Sequence, residues 1–207
     1  MSGGRSNKLV VFCGLDGSGK TTQLRMLAER LEHVGIEPLR TKQPTDDYRQ
    51  LAEVRAFLSA GGDLHAARSL ARLAAEDRRR HLAEVIEPAL AAGRWVLCDR
   101  YLYSSIAYFR QRGIDRDTIV QLNGAVRRPD HAFLLDVPVP ELVRRITARD
   151  GALANFEERD TRRLDAIRSH FLEERGLEIL DGKQSAAALS RTIWQRVVPA
   201  PEIGSAR

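Results

Sequence analysis

One eight-residue segment, GLDGSGKT at residues 14–21, constrains the fold of this chain more than any other. It matches the pattern G-x-x-x-x-G-K-[ST] and stands between a short apolar, β-branched run at residues 8–13 and a helical pattern at residues 20–33. Glycines let the backbone curve around phosphates with its N–H groups pointing inward, and the following helix adds its positive N-terminal end. The segment therefore predicts a strand–loop–helix unit that binds the phosphates of a nucleoside triphosphate.

Strand-like and helix-like stretches alternate along the rest of the chain. Continuous apolar runs at residues 95–99 and 131–137 are typical of strands buried on both faces of a parallel sheet. The remaining predicted elements are strands at residues 36–41 and 177–180 and helices at residues 47–59, 64–92, 140–149, 157–175 and 186–197. Strands separated by helices predict an α/β fold with a doubly wound parallel sheet. We expect one domain over residues 1–207, with disordered tails at residues 1–7 and 199–207.

Composition and charge narrow the classes of partner. Of the 207 residues, 43% are hydrophobic and 29% charged, as in ordinary globular proteins. The net charge of +5 suits small polyanionic ligands, and the scattered arginines argue against nucleic acid as a partner. No apolar run has membrane-spanning length and the first seven residues lack a signal-peptide pattern, so we expect a cytoplasmic protein without a membrane partner. Cys13 and Cys98 are expected to be buried reduced thiols.

Charged and hydroxyl side chains within the loop predict its chemistry. Lys20 is expected to reach the β- and γ-phosphates, and the Thr21 hydroxyl is expected to bind Mg²⁺. Asp16 is a carboxylate among amides that favour phosphate, so we expect it to help hold Mg²⁺ or the acceptor. The alternative for Asp16 is a simple turn-forming role.

A second group of charged residues, Asp99-Arg100-Tyr101, ends the predicted strand at residues 95–99. Ligands of open α/β sheets bind beyond the carboxyl ends of the strands, so this group is expected to face the phosphate loop. Asp99 would organise Mg²⁺ and Arg100 would bind a phosphate with its planar fork, or the two would form a structural pair. In the run DRRRH at residues 77–81, Arg78 is the side chain we expect to face the cleft.

Three segments together resemble the thymidylate kinase family of nucleoside monophosphate kinases. They are VVFCGLDGSGKTTQ at residues 10–23, AAEDRRRHLAEVIEPALAAGRWVLCDRYLYSSIAY at residues 74–108, and RRPDHAFLLDVPVPELVRRITAR at residues 127–149. The string DRY…SS…AY is more specific than the phosphate loop, which many families share. The resemblance implies a P-loop NTPase fold with three α/β/α layers, a five-stranded parallel sheet and a short helical lid. It also implies ATP, Mg²⁺, a nucleotide or other phosphorylated acceptor, and a homodimer.

By position in those segments, the resemblance implies roles for individual residues. The catalytic residues would be Lys20, Arg100, Asp99 and Asp16, and the metal ligands would be Thr21 and Asp99. The ATP-binding residues would be Gly14, Asp16, Gly17, Ser18, Gly19, Lys20, Thr21, Thr22, Arg145 and Arg149. The acceptor-binding residues would be Asp16, Pro44, Ala74, Arg78, Arg100, Ser104, Ser105, Tyr108 and Phe109.

The departures from the family pattern cluster on the acceptor side. Ala74 stands where the family places a phenylalanine that stacks on the base, and Phe109, in place of a glutamine, is a candidate replacement for that ring. The position of the usual lid arginine falls nearest Asn155, in the predicted lid at residues 150–158. The candidates to replace that arginine are Arg110, Arg112, Arg149, Arg159 and Arg162.

Three interpretations of function stay open on the sequence. The first is phosphoryl transfer from ATP to dTMP. The second is a divergent kinase of the same fold that acts on another nucleotide or on a small phosphate or phosphonate metabolite. The third is a nucleotide-binding protein that has lost catalysis.

Overall fold

Five short strands form the centre of the molecule in the computed structural model, which describes residues 7–151 and 159–198. The strands are β1 (Leu9–Cys13), β2 (Leu39–Lys42), β3 (Val96–Asp99), β4 (His131–Asp136) and β5 (Glu178–Asp181). They are all parallel and lie in the order β2-β3-β1-β4-β5. The predicted α/β fold with a five-stranded parallel sheet is confirmed.

Helices connect the strands. They are α1 (Lys20–His33), α2 (Asp46–Gln50), α3 (Ala52–Ala60), α4 (Leu64–His81), α5 (Glu87–Ala91), α6 (Leu102–Gln111), α7 (Arg116–Asn123), α8 (Val139–Asp150), α9 (Thr161–Glu173) and α10 (Ala186–Val197). Among the helices of residues 7–151 and 159–198, none combines the length and apolar character that crossing a bilayer requires.

Several predicted boundaries need correction. The helix predicted at residues 47–59 is two helices, because Leu51 takes an extended conformation between α2 and α3 (ψ 132°). The helix predicted at residues 64–92 contains a π-helical turn at Leu82–Ile86 before α5. Pro88 explains the widened turn, since it has no N–H for the helical hydrogen bond and its ring clashes with the carbonyl one turn earlier. Helices α6 and α7 lie in a part of the chain for which no element is predicted above.

Some predictions fall outside the described residues. These are the tails, apart from Asn7, and most of the predicted lid, including Asn155. The start of the helix predicted at residues 157–175 lies outside as well, and α9 is described from Thr161.

Alternation along β1 divides the core into two faces. Leu9, Val11 and Cys13 pack on one face with residues of α5, α6, α8 and α9. Val10 and Phe12 pack on the other face with residues of α1 and α10. Both faces of the sheet are therefore covered, as parallel sheets require. The two thiols are free and buried, as predicted, and burial raises the pKa of Cys13 to about 12.

A third apolar cluster lies away from the sheet, between α2, α3, α4, α6 and α7. Its members include Tyr48, Phe57, Ala74, Ile106 and Phe109. This helical cluster forms part of the wall of the candidate site described below.

Candidate active site

The loop between β1 and α1 adopts backbone angles that favour glycine. Gly14, Gly17 and Gly19 have φ angles of 136°, 78° and 96°. A Cβ atom on Gly14 would lie 2.8 Å from the Leu135 carbonyl oxygen, and one on Gly17 would lie 2.9 Å from Ile146 Cγ1. The loop therefore packs tightly against β4 and α8.

Lys20 is a buried ammonium held at this loop. Its side chain is 5% exposed, and Nζ donates a hydrogen bond to the Leu15 carbonyl oxygen at 2.9 Å. Nζ also lies 3.5 Å from Asp16 Oδ1. Burial, followed by the nearby Arg100 charge, lowers the pKa of Lys20, while Asp16 opposes the shift. An incoming phosphate would therefore compensate a charge that the protein only partly neutralises.

Thr21 and Asp99 meet beside Lys20. The Thr21 hydroxyl donates to Asp99 Oδ2 at 3.0 Å. The other carboxylate oxygen, Asp99 Oδ1, is buried and has no hydrogen-bond partner among the described residues. A hydroxyl and a carboxylate side by side suit Mg²⁺, which takes oxygen ligands and keeps several waters. In the described part of the chain there is no cluster of three or more His, Cys, Asp or Glu side chains that could hold a metal without substrate.

Arg100 turns the chain at the end of β3. Its φ of 67° is left-handed, a conformation that costs a non-glycine residue roughly 1 kcal/mol and is often found at functional sites. The turn directs the guanidinium to the Gly14 carbonyl oxygen (3.1 Å) and to Asp16 Oδ1 (2.7 Å). Its Cζ atom also lies 5.2 Å from the ring centre of Tyr108. Burial alone would lower the pKa of Arg100, but Asp16, Tyr108 and Asp99 together outweigh it, so the pKa is raised and the side chain stays charged.

Asp16 joins Arg100 and Lys20. The Arg100 charge is the main cause that holds the pKa of Asp16 well below its ordinary value, and the Lys20 charge adds to it. Burial acts in the opposite direction but is weaker than these charges, so the carboxylate is ionised. Its contacts are with two cations rather than with the local backbone, which favours a role in the site over a turn-forming one.

The phosphate-loop cavity is a space of about 530 Å³ in front of α1. Of the residues predicted to bind ATP or metal, it is lined by Asp16, Gly17, Gly19, Lys20, Thr21, Thr22, Asp99, Arg145 and Arg149. Lys42 and Arg49 line it as well. Gly14 and Ser18 lie behind this surface, and Ser18 is buried. Arg145 and Arg149 are held on α8 by the carboxylates of Glu141 and Asp150.

The apolar cavity, of about 180 Å³, adjoins the first. Of the residues predicted to bind an acceptor, it is lined by Asp16, Pro44, Arg100, Ser104, Ser105, Tyr108 and Phe109. Further lining comes from Tyr48, Arg49, Leu58, Arg112, Leu142, Ile146 and Leu164. Rings and aliphatic side chains make up most of this wall, as in pockets that bind the flat base of a nucleotide.

Ala74 and Arg78 are two predicted acceptor-binding residues that do not appear among the described lining of the apolar cavity. Ala74 is 1% exposed and packs in the helical cluster, to which the ring of Phe109 also belongs. An aromatic surface is thus present, supplied by α6 instead of α4. Arg78 is also 1% exposed, and its guanidinium lies behind the wall, with Nη2 donating to Ser105 Oγ at 2.7 Å. Burial lowers the pKa of Arg78 to about 10, so it remains charged at neutral pH.

A hydrogen-bond chain connects Arg78 to β2 through His81. Arg78 Nε donates to Gln43 Oε1 (3.0 Å), which assigns the Gln43 amide nitrogen as the donor to His81 Nδ1 (3.0 Å). The proton of a neutral His81 then sits on Nε2, which lies 2.8 Å from Thr41 Oγ1. Burial is the main cause that lowers the pKa of His81.

Helix α2 also contributes to the site, which the sequence does not predict. Tyr48 is buried in the helical cluster and lines the apolar cavity, and Arg49 lines both cavities. The loop before α2 is fixed by Asp77, which accepts hydrogen bonds from the Thr45 hydroxyl and from the Thr45 N–H (2.9 Å). The one sequence signal is the pair Tyr48-Arg49 in an otherwise polar loop after β2.

Comparison with known proteins gives one family. A sequence model described as "Thymidylate kinase" matches residues 12–193. A "Probable thymidylate kinase" of Pyrococcus horikoshii is 45% identical over 153 residues, which are 72% of this chain and 73% of that protein. A "Thymidylate kinase" of Desulfotalea psychrophila is 39% identical over 153 residues, 72% of each chain. A "Thymidylate kinase" of a Bradyrhizobium species is 35% identical over 206 residues, 92% of this chain and 89% of that protein.

Proposed function

The chain belongs to the thymidylate kinase family of nucleoside monophosphate kinases, and we propose that it transfers the terminal phosphoryl group of ATP to dTMP, giving ADP and dTDP. The observation that carries this proposal is the meeting of two unlike cavities. One is lined by the phosphate loop and basic side chains, and the other mainly by rings and aliphatic groups. The first cavity suits a polyphosphate and the second suits a nucleoside base, and the reaction would take place where they meet.

In this proposal the phosphate-loop cavity receives ATP. Lys20 exchanges its bond to the Leu15 carbonyl oxygen for phosphate oxygens, and the loop amides surround the phosphates. Thr21 and Asp99 would hold Mg²⁺ through the hydroxyl and the unpartnered carboxylate oxygen. When held there, Mg²⁺ would supply positive charge that neutralises part of the phosphate charge. Arg145 and Arg149 lie on the wall of the same cavity.

The apolar cavity receives the nucleoside of dTMP, with the acceptor phosphate near Arg100. Rings of Tyr48 and Phe109 line it, and stacking of a base on one aromatic ring contributes about 1–3 kcal/mol. Ser104 also lines this cavity, with its hydroxyl oxygen buried beside the Cys13 thiol. The acceptor phosphate is already a nucleophile, so positioning and charge stabilisation do most of the work.

The transfer forms a bond between an acceptor phosphate oxygen and the γ-phosphorus. The bond from that phosphorus to the β–γ bridging oxygen breaks, and its electron pair leaves on ADP. Lys20 and Arg100 supply fixed positive charge on the two sides of this exchange. A homodimer and a cytoplasmic location remain predictions from the resemblance and the sequence.

ADP release from ATP and Mg²⁺, measured over a panel of acceptors, tests the proposal. We expect turnover with dTMP to exceed turnover with the other nucleoside monophosphates and with small phosphates or phosphonates. Lys20→Ala should lower this turnover at least about 100-fold, because it removes a charge that acts on the transferring group.

Circular dichroism and the unfolding midpoint show whether the Lys20 variant is still folded. A clear preference for another acceptor would replace dTMP, and ATP binding without ADP release for any acceptor would refute a kinase function. Normal turnover by folded Lys20→Ala would refute the proposed site.

A further inference from the structure

The junction between the two cavities is formed by three residues. Asp16, Arg49 and Arg100 line both the phosphate-loop cavity and the apolar cavity. A phosphoryl group that moves from a donor in one cavity to an acceptor in the other must cross this junction. Asp16 and Arg100 form an ion pair with each other at 2.7 Å. Arg49 is the third residue at the junction and takes no part in that pair.

Carboxylates already accompany the other basic residues of the phosphate-loop cavity. Lys20 and Arg100 contact Asp16, Lys42 contacts Asp46, Arg145 contacts Glu141, and Arg149 contacts Asp150. By contrast, Arg49 forms no ion pair within 4.0 Å among residues 7–151 and 159–198. Its guanidinium is therefore a positive charge at the junction that no carboxylate of the described residues contacts directly, although its charge helps to lower the pKa of Asp16.

The short helix α2 holds the Arg49 backbone in place. Thr45, just before α2, is fixed by Asp77 through both its N–H and its hydroxyl. Tyr48, the neighbour of Arg49, is buried in the helical cluster. The Arg49 backbone N–H also bonds the Thr45 carbonyl oxygen at 3.2 Å. An exposed side chain on an anchored backbone can stay at the junction without being buried itself.

We propose that Arg49 is a catalytic residue that contacts the transferring phosphoryl group at the junction of the two cavities. This proposal rests on the proposed function. As the new bond to the acceptor oxygen forms and the β–γ bridging bond breaks, negative charge spreads over the equatorial oxygens of the γ-phosphoryl group. The Arg49 fork donates to those oxygens and to the acceptor phosphate, while the leaving electron pair stays on ADP. A cation on α2 thus takes the role that the family resemblance gives to a lid arginine.

Arg49 accordingly contacts the γ-phosphoryl group and the acceptor phosphate at the same time. Three measurements distinguish this role from binding of the acceptor alone. They are kcat and KM with ATP and dTMP, the affinity for ATP alone, and the affinity for an analogue that joins adenosine and thymidine through a chain of phosphates. The variants are Arg49→Ala and Arg49→Lys. Arg55→Ala on α3 is the matched control, since Arg55 is exposed and lines neither cavity.

For Arg49→Ala we expect kcat to fall about 100- to 1,000-fold, the usual cost of removing one group that stabilises transition-state charge. Affinity for the bridged analogue should fall about tenfold or more, measured by titration calorimetry, while affinity for ATP alone changes less than about threefold. Arg49→Lys should recover part of kcat, because it restores charge without the planar fork. Arg55→Ala should match the wild type.

Two results would overturn the role of Arg49 alone: a kcat within about threefold of wild type in Arg49→Ala, or a raised KM for dTMP with kcat and analogue affinity unchanged. Failure of the wild type itself to phosphorylate dTMP would instead overturn the proposed function and this proposal with it. The wild-type measurement thus distinguishes the two failures.

Discussion

At the scale of single residues, Asp16 sets the charge of the site. One carboxylate contacts both Lys20 and Arg100, so these three side chains carry one net positive charge before any ligand arrives. Arg49 adds another at the same junction. Positive charge fixed in advance at the place where phosphates meet stabilises transferring charge without reorganisation during the reaction.

His81 gives a prediction about pH. Its pKa is lowered in the folded protein by burial and by Arg78, with Asp77 opposing. The unfolded chain therefore binds a proton more readily, and the stability contributed by neutral His81 is complete above about pH 6.5 and is lost as the pH falls below that value. His81→Gln should reduce the drop in the thermal unfolding midpoint between about pH 7.5 and about pH 5.5. Part of the drop should remain, because burial also lowers the pKa of His131 and His170.

His65→Gln is the control for this measurement, since His65 is an exposed residue near the start of α4. It should leave the pH dependence of the midpoint as in the wild type. An equal drop in wild type and His81→Gln would show that the hydrogen bonds of His81 do not depend on its neutral form.

At the scale of elements, the attachment of α2 to α4 through Asp77 gives a further prediction. Asp77→Ala leaves the Thr45 N–H and hydroxyl without their partner. We expect the free energy of unfolding to fall by about 1–3 kcal/mol. The KM for dTMP should rise and kcat should fall, because α2 carries Tyr48 and Arg49 into the site. Urea unfolding and steady-state kinetics measure the two effects.

Asp47→Ala is the matched control on α2 itself. The Asp47 side chain is 79% exposed, and within residues 7–151 and 159–198 its one ion pair is with Arg80, at 3.6 Å. Its removal should therefore change the stability by less than about 0.5 kcal/mol. If Asp77→Ala behaves like Asp47→Ala in both measurements, α2 does not depend on this contact.

The elements show which parts of the fold are readable from sequence. The strands β1, β3 and β4 are continuous apolar runs, and Gly14 and Gly19 mark the loop, so local signals suffice. By contrast, α6 and α7 were not assigned. In α6, Ser104 and Ser105 are buried and line the apolar cavity. Polar residues therefore do not mark the solvent-facing side of this helix, and the usual alternation of polar and apolar faces is lost. Likewise, the sequence does not show whether Pro88 ends the helix or only widens the turn before it into a π-helical turn.

The candidate site divides in the same way. Lys20, Thr21, Asp99 and Arg100 follow from motifs, since the carboxyl ends of adjacent parallel strands meet at one edge of the sheet. Tyr48 and Arg49 could not be found this way, because only the packing of α2 on the helical cluster brings them there. Ala74 was assigned to the acceptor site by resemblance, but it lies in the helical cluster and not among the described residues of the cavity wall. The ring of Phe109 lies on the cavity wall.

At the scale of the whole molecule, the two cavities predict that both ligands stabilise the fold. ADP with Mg²⁺, and dTMP added to it, should each raise the thermal unfolding midpoint. At concentrations about 100 times the dissociation constant, each contributes roughly 2.7 kcal/mol, or about 5–10 °C for a chain of this size. Differential scanning fluorimetry measures the shifts, with inorganic phosphate at equal concentration as the control. If dTMP gives no shift beyond that of ADP with Mg²⁺, the apolar cavity does not hold the acceptor.

The close approach of the phosphate loop to α8 limits how the site can evolve. Position 17 has a φ of 78°, and any Cβ there would lie 2.9 Å from Ile146 Cγ1. A larger residue in the loop therefore requires a smaller neighbour at position 146 in the same step, as well as tolerance of left-handed backbone. A side chain at position 17 alone would crowd α8, and a smaller residue at position 146 alone would leave a cavity, so the two positions are coupled. With glycine at position 17, the positive charge that acts on the transferring group has to come from other parts of the chain.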